Sequence, residues 1–184
     1  MRYSRSRAPN GCSDTLSAEA LNAALALASE PPLFLNGVSG LGTPFMRPAS
    51  IAHFVDNGDT NDTRAMTLAV LESIAFLLQV NIEAMARAGA APARRIVIGG
   101  GLARLDGLCQ RLADLSGIPV ERDEEHETTS RGLLHLLRTA CGAPGDRETT
   151  TMAPLTFTPR ENPALARRYA RWHEILLEHL ARNP

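Results

Sequence analysis

The sequence contains no lysine, and its 19 basic residues are all arginine. This absence excludes the chemistries that require a lysine side chain: P-loop nucleotide binding, Schiff-base catalysis, the protein-kinase type of phosphate contact and the Ser-Lys dyad. Cysteine is also scarce. The three cysteines (Cys12, Cys109 and Cys141) form no C-x-x-C pair, so neither a zinc knuckle nor a disulfide framework is indicated, and a reduced cytoplasmic setting is expected.

Charge of one sign is not in excess either. The 19 basic and 20 acidic residues give a net charge of -1, whereas a nucleic-acid-binding domain normally carries a basic surplus. Polar residues at 72, 79, 81 and 83 break the longest apolar-rich stretch, 65–85, and the first 14 residues lack the apolar segment of a secretory signal. We therefore expect no nucleic-acid partner and no membrane partner.

What is present indicates an ordinary globular domain, since the 184 residues are 44% hydrophobic and 21% charged. Capping residues and apolar periodicity predict helices that begin at Ser17, at Asn61 or Asp62, at Thr128 or Thr129, and at Asn162, with a further helix at 105–115. Short apolar runs predict strands at 33–35, 51–55, 95–98 and 118–121. The alternation of strands and helices over 95–140 favours an α/β architecture.

Three of these elements carry further expectations. The long helix, predicted over 62–88, has apolar residues on more than one face and should be buried on two sides. The strand at 95–98 is apolar on both faces, as in the middle of a parallel sheet. The strand at 118–121 contains Pro119, which suggests an edge position.

The first candidate functional segment is the glycine triplet Gly99, Gly100 and Gly101, which follows the strand at 95–98 and precedes a helix. Glycines at such a junction let a ligand lie against bare backbone, at the positive end of a helix. The alternative is a tight turn that needs glycine for its geometry alone. The segment does not match G-x-G-x-x-G, because Arg104 stands where the last glycine should be.

The other candidates favour structural explanations. The loop 37–44 nearly offers G-x-S-x-G but lacks the last glycine, so a rigid loop is preferred to a nucleophile elbow. The acidic run 121–127 is local in sequence and has no second cluster of matching ligands, so it reads as a solvated loop. Cys109 is expected to be an inert helix residue, and Tyr169 and Trp172 to be packing residues. The residues predict no catalytic group and no metal site.

Four stretches, taken in order, resemble the C-terminal domain of the FGGY carbohydrate kinases. They are LFLNGVSGLGTPFMRP at 33–48, RAMTLAVLESIAFLLQVNIEAM at 64–85, RIVIGGGLARLDGLCQRLADLSGIPV at 95–120 and ETTSRG at 127–132. The resemblance covers about residues 16–181. Residues 16–184 are therefore expected to form the nucleotide-side domain, which is the domain on the ATP side of the cleft in these kinases, and residues 1–15 a flexible segment before it.

The resemblance implies part of an actin-like ATPase (ribonuclease-H-like) domain, with a short sheet flanked by long helices. It also implies transfer of phosphate from ATP, with Mg²⁺, to a sugar or polyol hydroxyl. By the same resemblance, Gly99, Gly100 and Gly101 pass close to adenosine, with Leu102 and Asp106 beside them. The family's catalytic aspartate and sugar-binding domain have no counterpart in this chain.

The chain alone is therefore expected to be catalytically incomplete. It would bind a sugar or polyol only together with an N-terminal domain, so a complementing N-terminal polypeptide or self-association is expected. The alternative is a non-catalytic interaction module that keeps the kinase-like fold and uses its long helix to bind a partner.

Overall fold

The computed structural model describes residues 17–26, 30–38, 40–48, 51–55, 62–122, 128–142 and 154–182. The predicted flexible segment 1–15 lies outside these residues. The helices are α1 (Ala18–Ala26), α2 (Thr63–Arg87), α3 (Asp106–Ser116), α4 (Thr128–Ala140) and α5 (Pro163–Arg182), with a 3-10 helix at Gly101–Arg104. The strands are β1 (Phe34–Gly37), β2 (Ile51–Phe54), β3 (Ile96–Ile98), β4 (Val120–Arg122) and β5 (Leu155–Phe157).

Side-chain caps start three of the helices where the sequence predicts them. The Ser17 hydroxyl accepts a hydrogen bond from Ala20 N at 3.2 Å. The Asp62 carboxylate accepts hydrogen bonds from two backbone N–H groups of the first turn of α2, at 2.9 and 3.0 Å. Asn162 does the same for Leu165 N at 3.1 Å, and Pro163 takes the first helical position, where its missing N–H costs nothing.

The strands form two small sheets. β1 and β2 pair antiparallel, with Phe34 opposite Phe54. The second sheet has the order β3-β4-β5, in which β3 and β4 run parallel and β5 is antiparallel to β4. This mixed arrangement of short strands and long helices agrees with the expected α/β class.

Two predicted strand positions are wrong. β3 is an edge strand among the described residues rather than the middle of a sheet, and Val97 on it is 62% exposed. β4 is the central strand instead of an edge. Pro119 does not prevent this, because it comes immediately before β4 and contributes only its carbonyl oxygen, which accepts a hydrogen bond from Ile96 N at 2.8 Å.

The main core lies between β1, α2 and α5. Trp172 of α5 is fully buried against Phe76 of α2, with ring centroids 5.3 Å apart. The Trp172 indole N–H donates to the carbonyl of Phe34 in β1 at 2.8 Å, so the buried polar end of the ring is satisfied. The predicted packing role of Tyr169 and Trp172 is thus confirmed.

A second apolar cluster joins α2 to α1 and α3, through Leu68, Leu71, Leu25 and Leu108. The expected burial of α2 on two sides is therefore confirmed for its middle turns, while Leu78 and Met85 farther along remain exposed. α2 is long and apolar enough to cross a membrane, but half of its most apolar window is buried within the fold. The core helix of a soluble protein has the same appearance.

α4 differs from the other long helices because its apolar residues face solvent. Leu133, Leu134, Leu136 and Leu137 are all exposed among the described residues. A contiguous apolar face of this kind is typical of a surface that another polypeptide covers.

Candidate functional site

The glycine triplet lies at the carboxyl end of β3, as the sequence predicts, and leads through the 3-10 helix into α3. Gly100 has a φ of +91°, a conformation that strongly favours glycine. A Cβ atom built on Gly100 or on Gly101 would meet no other atom within 4 Å. The backbone at Gly100 and Gly101 is therefore open to a ligand from that side.

Side-chain hydrogen bonds hold the segment that follows the glycine triplet in place. The Ala103 carbonyl accepts hydrogen bonds from the Cys109 thiol at 3.3 Å and from the Arg122 guanidinium. Ala103 and Leu105 are buried, whereas Leu102 is half exposed. The loop thus turns Leu102 outward, next to the open backbone of the triplet.

Asp106, the first residue of α3, pairs with Arg122 at 2.8 Å and keeps 55% of its side chain exposed. Arg122 in turn lies over the ring of Phe157, 5.5 Å from its centroid. The Asp106 carboxylate is therefore fixed by its ion pair with Arg122 and remains accessible from solvent. Asn22 of α1 adds a clamp on the same segment, because its side-chain amide donates to Arg104 O at 3.3 Å and accepts from Gly107 N at 3.4 Å.

A cavity of about 530 Å³ adjoins this segment between α1, α3 and α5. Its walls are Leu25, Glu30, Glu72, Asp106, Gly107, Gln110, Arg111, Asp114, Phe157, Arg160, Asn162, Ala164, Leu165 and Arg168. The structure therefore brings Asp106 to the cavity, whereas Gly99 to Leu102 do not line it.

Sequence reasoning missed a buried charged cluster in the wall of this cavity. Glu72 of α2 pairs closely with Arg168 of α5 and lies 3.8 Å from the Nε of Arg111 of α3. Burial lowers the pKa of the Arg111 guanidinium, and Glu72 counteracts that effect. A sequence signal existed, because Glu72 interrupts the core face of α2 and a buried carboxylate requires cationic partners.

The remaining candidates behave as structural residues or lie outside the described part of the chain. In the loop 37–44, Leu41 pairs with Arg47 through two backbone hydrogen bonds, which agrees with a rigid loop. Burial raises the pKa of the Cys109 thiol to about 11, as fits an inert cysteine. Residues 123–127 of the acidic run are not described. Among the described residues no group of three His, Cys, Asp or Glu could hold a metal ion.

Comparison with known proteins identifies the family. Residues 4–141 match the C-terminal domain of the FGGY family of carbohydrate kinases. A glycerol kinase of Methylibium petroleiphilum is 34% identical over 153 residues, which are 78% of this chain and 30% of that enzyme. A glycerol kinase of Myxococcus xanthus is 33% identical and is matched over 76% of this chain and 29% of its own length.

Solved structures give the same fold. A crystal structure of a xyloylose kinase from Brucella ovis aligns with a TM-score of 0.68 and 26% identity, over 90% of this chain and 36% of that one. Plasmodium falciparum glycerol kinase with ADP aligns with a TM-score of 0.64 and 16% identity, over 88% of this chain and 33% of that one. The expected actin-like fold is thereby confirmed.

The chain belongs to the FGGY family of carbohydrate kinases and corresponds to its C-terminal domain. Kinases of this family use ATP and Mg²⁺. The chain spans about 30% of the length of the glycerol kinases that it matches.

Proposed function

We propose that this chain is the nucleotide-side domain of a cytoplasmic, ATP-dependent kinase that phosphorylates a hydroxyl group of a sugar or polyol. The observation that carries the proposal is the open, positive-φ backbone at Gly100, placed at the carboxyl end of a parallel strand in a chain of this family. Adenosine would lie against Gly99, Gly100 and Gly101. Residues 16–184 would form this domain.

Each proposed contact has a distinct task. The bare backbone at Gly100 and Gly101 admits the flat nucleoside more closely than a side chain would allow. Leu102 offers apolar surface beside it, and the Asp106 carboxylate, held by Arg122, accepts a hydrogen bond from an adenosine N–H or O–H. ATP with Mg²⁺ supplies the phosphoryl group when bound, and the described residues are assigned no role as metal ligands.

The chain alone would be catalytically incomplete, and sugar binding would come from an N-terminal domain or a complementing polypeptide. The edge position of β3 among the described residues supports this part of the proposal, because an unpaired strand edge favours a further strand. The exposed leucines of α4 favour a second candidate, a non-catalytic module that binds a protein partner.

Calorimetry with Mg-ATP on wild type and two glycine variants tests the nucleotide site. Gly101→Ala adds one methyl group in open space at a position without positive φ, so the fold should persist while the affinity for ATP falls by about tenfold or more. Gly100→Val should abolish binding and destabilise the fold by about 1–3 kcal/mol.

The matched control is Gly117→Val, because Gly117 also has a positive φ and open space but lies at the far end of α3. It should lose similar stability and keep the affinity for ATP. No heat and no thermal shift with wild type would favour the interaction module. An unchanged affinity in Gly101→Ala would place the nucleotide elsewhere.

A further inference from the structure

Two histidines from distant parts of the chain meet at the edge of the main core. His53 of β2 and His179 of α5 have ring centroids 5.7 Å apart, and the two ring planes are tilted by 41°. His53 is exposed, and His179 is partly buried. Neither residue belongs to the glycine segment, and neither lines the cavity beside α3.

The fold brings these two side chains to one interface. On β2, His53 stands directly opposite Leu35 of β1, so both side chains lie on the same face of the two-stranded sheet. On α5, His179 comes seven positions after Trp172 and three after Leu176, which places it on the same face of the helix. Leu35, Trp172 and Leu176 pack together in the core, so the two histidines lie at the rim of that packing.

Packing and a hydrogen bond fix the frame that carries the histidines. The Trp172 indole N–H donates to the carbonyl of Phe34 in β1 at 2.8 Å, which ties α5 to the sheet. Phe34 is also in ring contact with Phe54, the residue after His53, at a centroid distance of 4.8 Å. Strands and helices hold side chains more precisely than loops do. The surrounding core therefore sets the distance between the two imidazoles.

This distance suits a metal ion between the rings. A zinc–nitrogen bond is about 2.0–2.1 Å long, so the centroids of two imidazoles on one ion lie about 5–6.5 Å apart, according to the angle at the metal. The observed 5.7 Å is within this range. A half-turn of an imidazole exchanges its nitrogen and carbon positions with little change of shape, so each ring can present a nitrogen. One nitrogen per ring is enough, because metal-ligating histidines normally give the other nitrogen to a hydrogen-bond partner.

We propose that His53 and His179 bind one divalent ion of the Zn²⁺ class, which joins β2 to α5. Imidazole suits Zn²⁺, Ni²⁺ and Cu²⁺, whereas Mg²⁺ and Ca²⁺ prefer oxygen ligands, so this ion differs from the Mg²⁺ that accompanies ATP. No third His, Cys, Asp or Glu of the described residues completes the group, and water fills the remaining positions. The ion stabilises the folded state, because its two ligands come together only when β2 and α5 are packed.

The test titrates the full chain, without a histidine tag and with its exposed thiols alkylated, with the chlorides of Zn²⁺, Ni²⁺, Mg²⁺ and Ca²⁺. Alkylation removes Cys141, whose thiolate would compete for the same ions. Calorimetry should show one Zn²⁺ or Ni²⁺ bound per chain, and the melting temperature should rise with either ion and fall back when EDTA is added. Mg²⁺ and Ca²⁺ should change neither measurement. Absence of Zn²⁺ and Ni²⁺ binding, or an equal response to Mg²⁺, would overturn the proposal.

Three variants locate the ion. His53→Gln and His179→Gln should each weaken Ni²⁺ binding by about tenfold or more, because each removes one of the two protein ligands. His135→Gln removes an exposed histidine of α4 and is the matched control, which should keep the wild-type affinity. X-ray absorption of the Ni²⁺-loaded wild type should show two imidazole ligands, a result that does not depend on the folding of any variant. Fewer than two imidazoles, or unchanged affinity in either His53→Gln or His179→Gln, would show that no ion bridges β2 and α5.

Discussion

Gly107 of α3 lies so close to Leu25 of α1 that a Cβ atom on Gly107 would come within 2.3 Å of the Cβ of Leu25. Two carbon atoms that are not bonded to each other do not approach this closely, so α1 and α3 would have to separate. The Asn22 side chain also joins the two helices, because it donates to Arg104 O before α3 and accepts from Gly107 N within α3. The packing of α1 on α3 therefore depends on the absence of a side chain at one position.

We expect Gly107→Ala to destabilise the protein by about 1–3 kcal/mol, because overpacking forces backbone shifts. Chemical denaturation followed by circular dichroism measures this change. Gly132→Ala in α4 is the matched control: nothing lies within 4 Å of the added methyl group, and alanine is the better helix former by about 1 kcal/mol. A Gly107→Ala variant as stable as wild type would contradict the close packing.

Glu72→Gln should be among the most destabilising single substitutions in α2. It leaves the buried Arg168 guanidinium without its paired carboxylate and removes one of the two carboxylates that act on Arg111. Such a loss costs about 3–5 kcal/mol in comparable buried pairs. Glu174→Gln removes a carboxylate from an exposed pair with Arg171 and should change the free energy of unfolding by less than about 1 kcal/mol. Similar losses in the two variants would show that the buried cluster carries no special electrostatic role.

The stability of the fold should decline at alkaline pH partly because of Cys109. Burial raises the pKa of its thiol from an ordinary value of 9.0 to about 11, so the folded state holds the proton more tightly than the unfolded state. The protonated thiol thus contributes about 2–3 kcal/mol to the free energy of unfolding below pH 9. This contribution is lost as the pH rises from 9 through 11. Unfolding free energies measured between pH 8 and 11 should fall accordingly.

Cys109→Ala should flatten this pH dependence between pH 9 and 11. Burial and a hydrogen bond to Glu83 also raise the pKa of Tyr169 above its ordinary value of 10.0, so both proteins should lose further stability from about pH 10 upward. Peptide-resolved alkylation at pH 8 gives an independent check: exposed Cys141 should react while Cys109 stays protected until the protein unfolds. Rapid labelling of Cys109 in the folded state would contradict its buried position.

The isolated chain should self-associate through the edge of β3 or the apolar face of α4. β3 has one unpaired edge among the described residues, Val97 is exposed on one face of this strand, and four leucines of α4 face solvent. Sedimentation velocity should show concentration-dependent oligomers, and Val97→Lys or Leu136→Lys should shift the chain towards the monomer, because a charge on an edge or apolar patch opposes association. A wild-type monomer with a sharp, high-temperature melting transition would show that these surfaces need no partner.

The helices of this fold could be predicted from the sequence, because their signals are local. Ser17, Asp62 and Asn162 each cap the helix that follows, and the apolar stripe of α5 marks the residues that are buried. Sheet positions could not be predicted in the same way. β5 has three residues, and its pairing with β4, Thr156 opposite Glu121, joins distant parts of the chain.

The two strand errors share a physical origin. Apolar residues on both faces of β3 predict burial on both faces, yet the partner that would cover Val97 is not among the described residues. Pro119 suggests an edge only if it lies within the strand, and here it lies before it. The glycine turn could be predicted from the sequence. Glu72 is recognisable there as a carboxylate on the core face of a helix, but its partner Arg168 could not be predicted, because it lies 96 positions away.

Trp172 and Leu176 belong to the same core cluster as Leu33 and Leu35, although nearly the whole described chain lies between them. During synthesis, β1 therefore leaves the ribosome long before the helix that covers it exists. Until α5 has been made, the apolar side chains of β1 and α2 remain open to water, and the unfinished chain presents the kind of surface that chaperones hold. Folding of this domain is consequently completed only after α5 has been made and is free to pack.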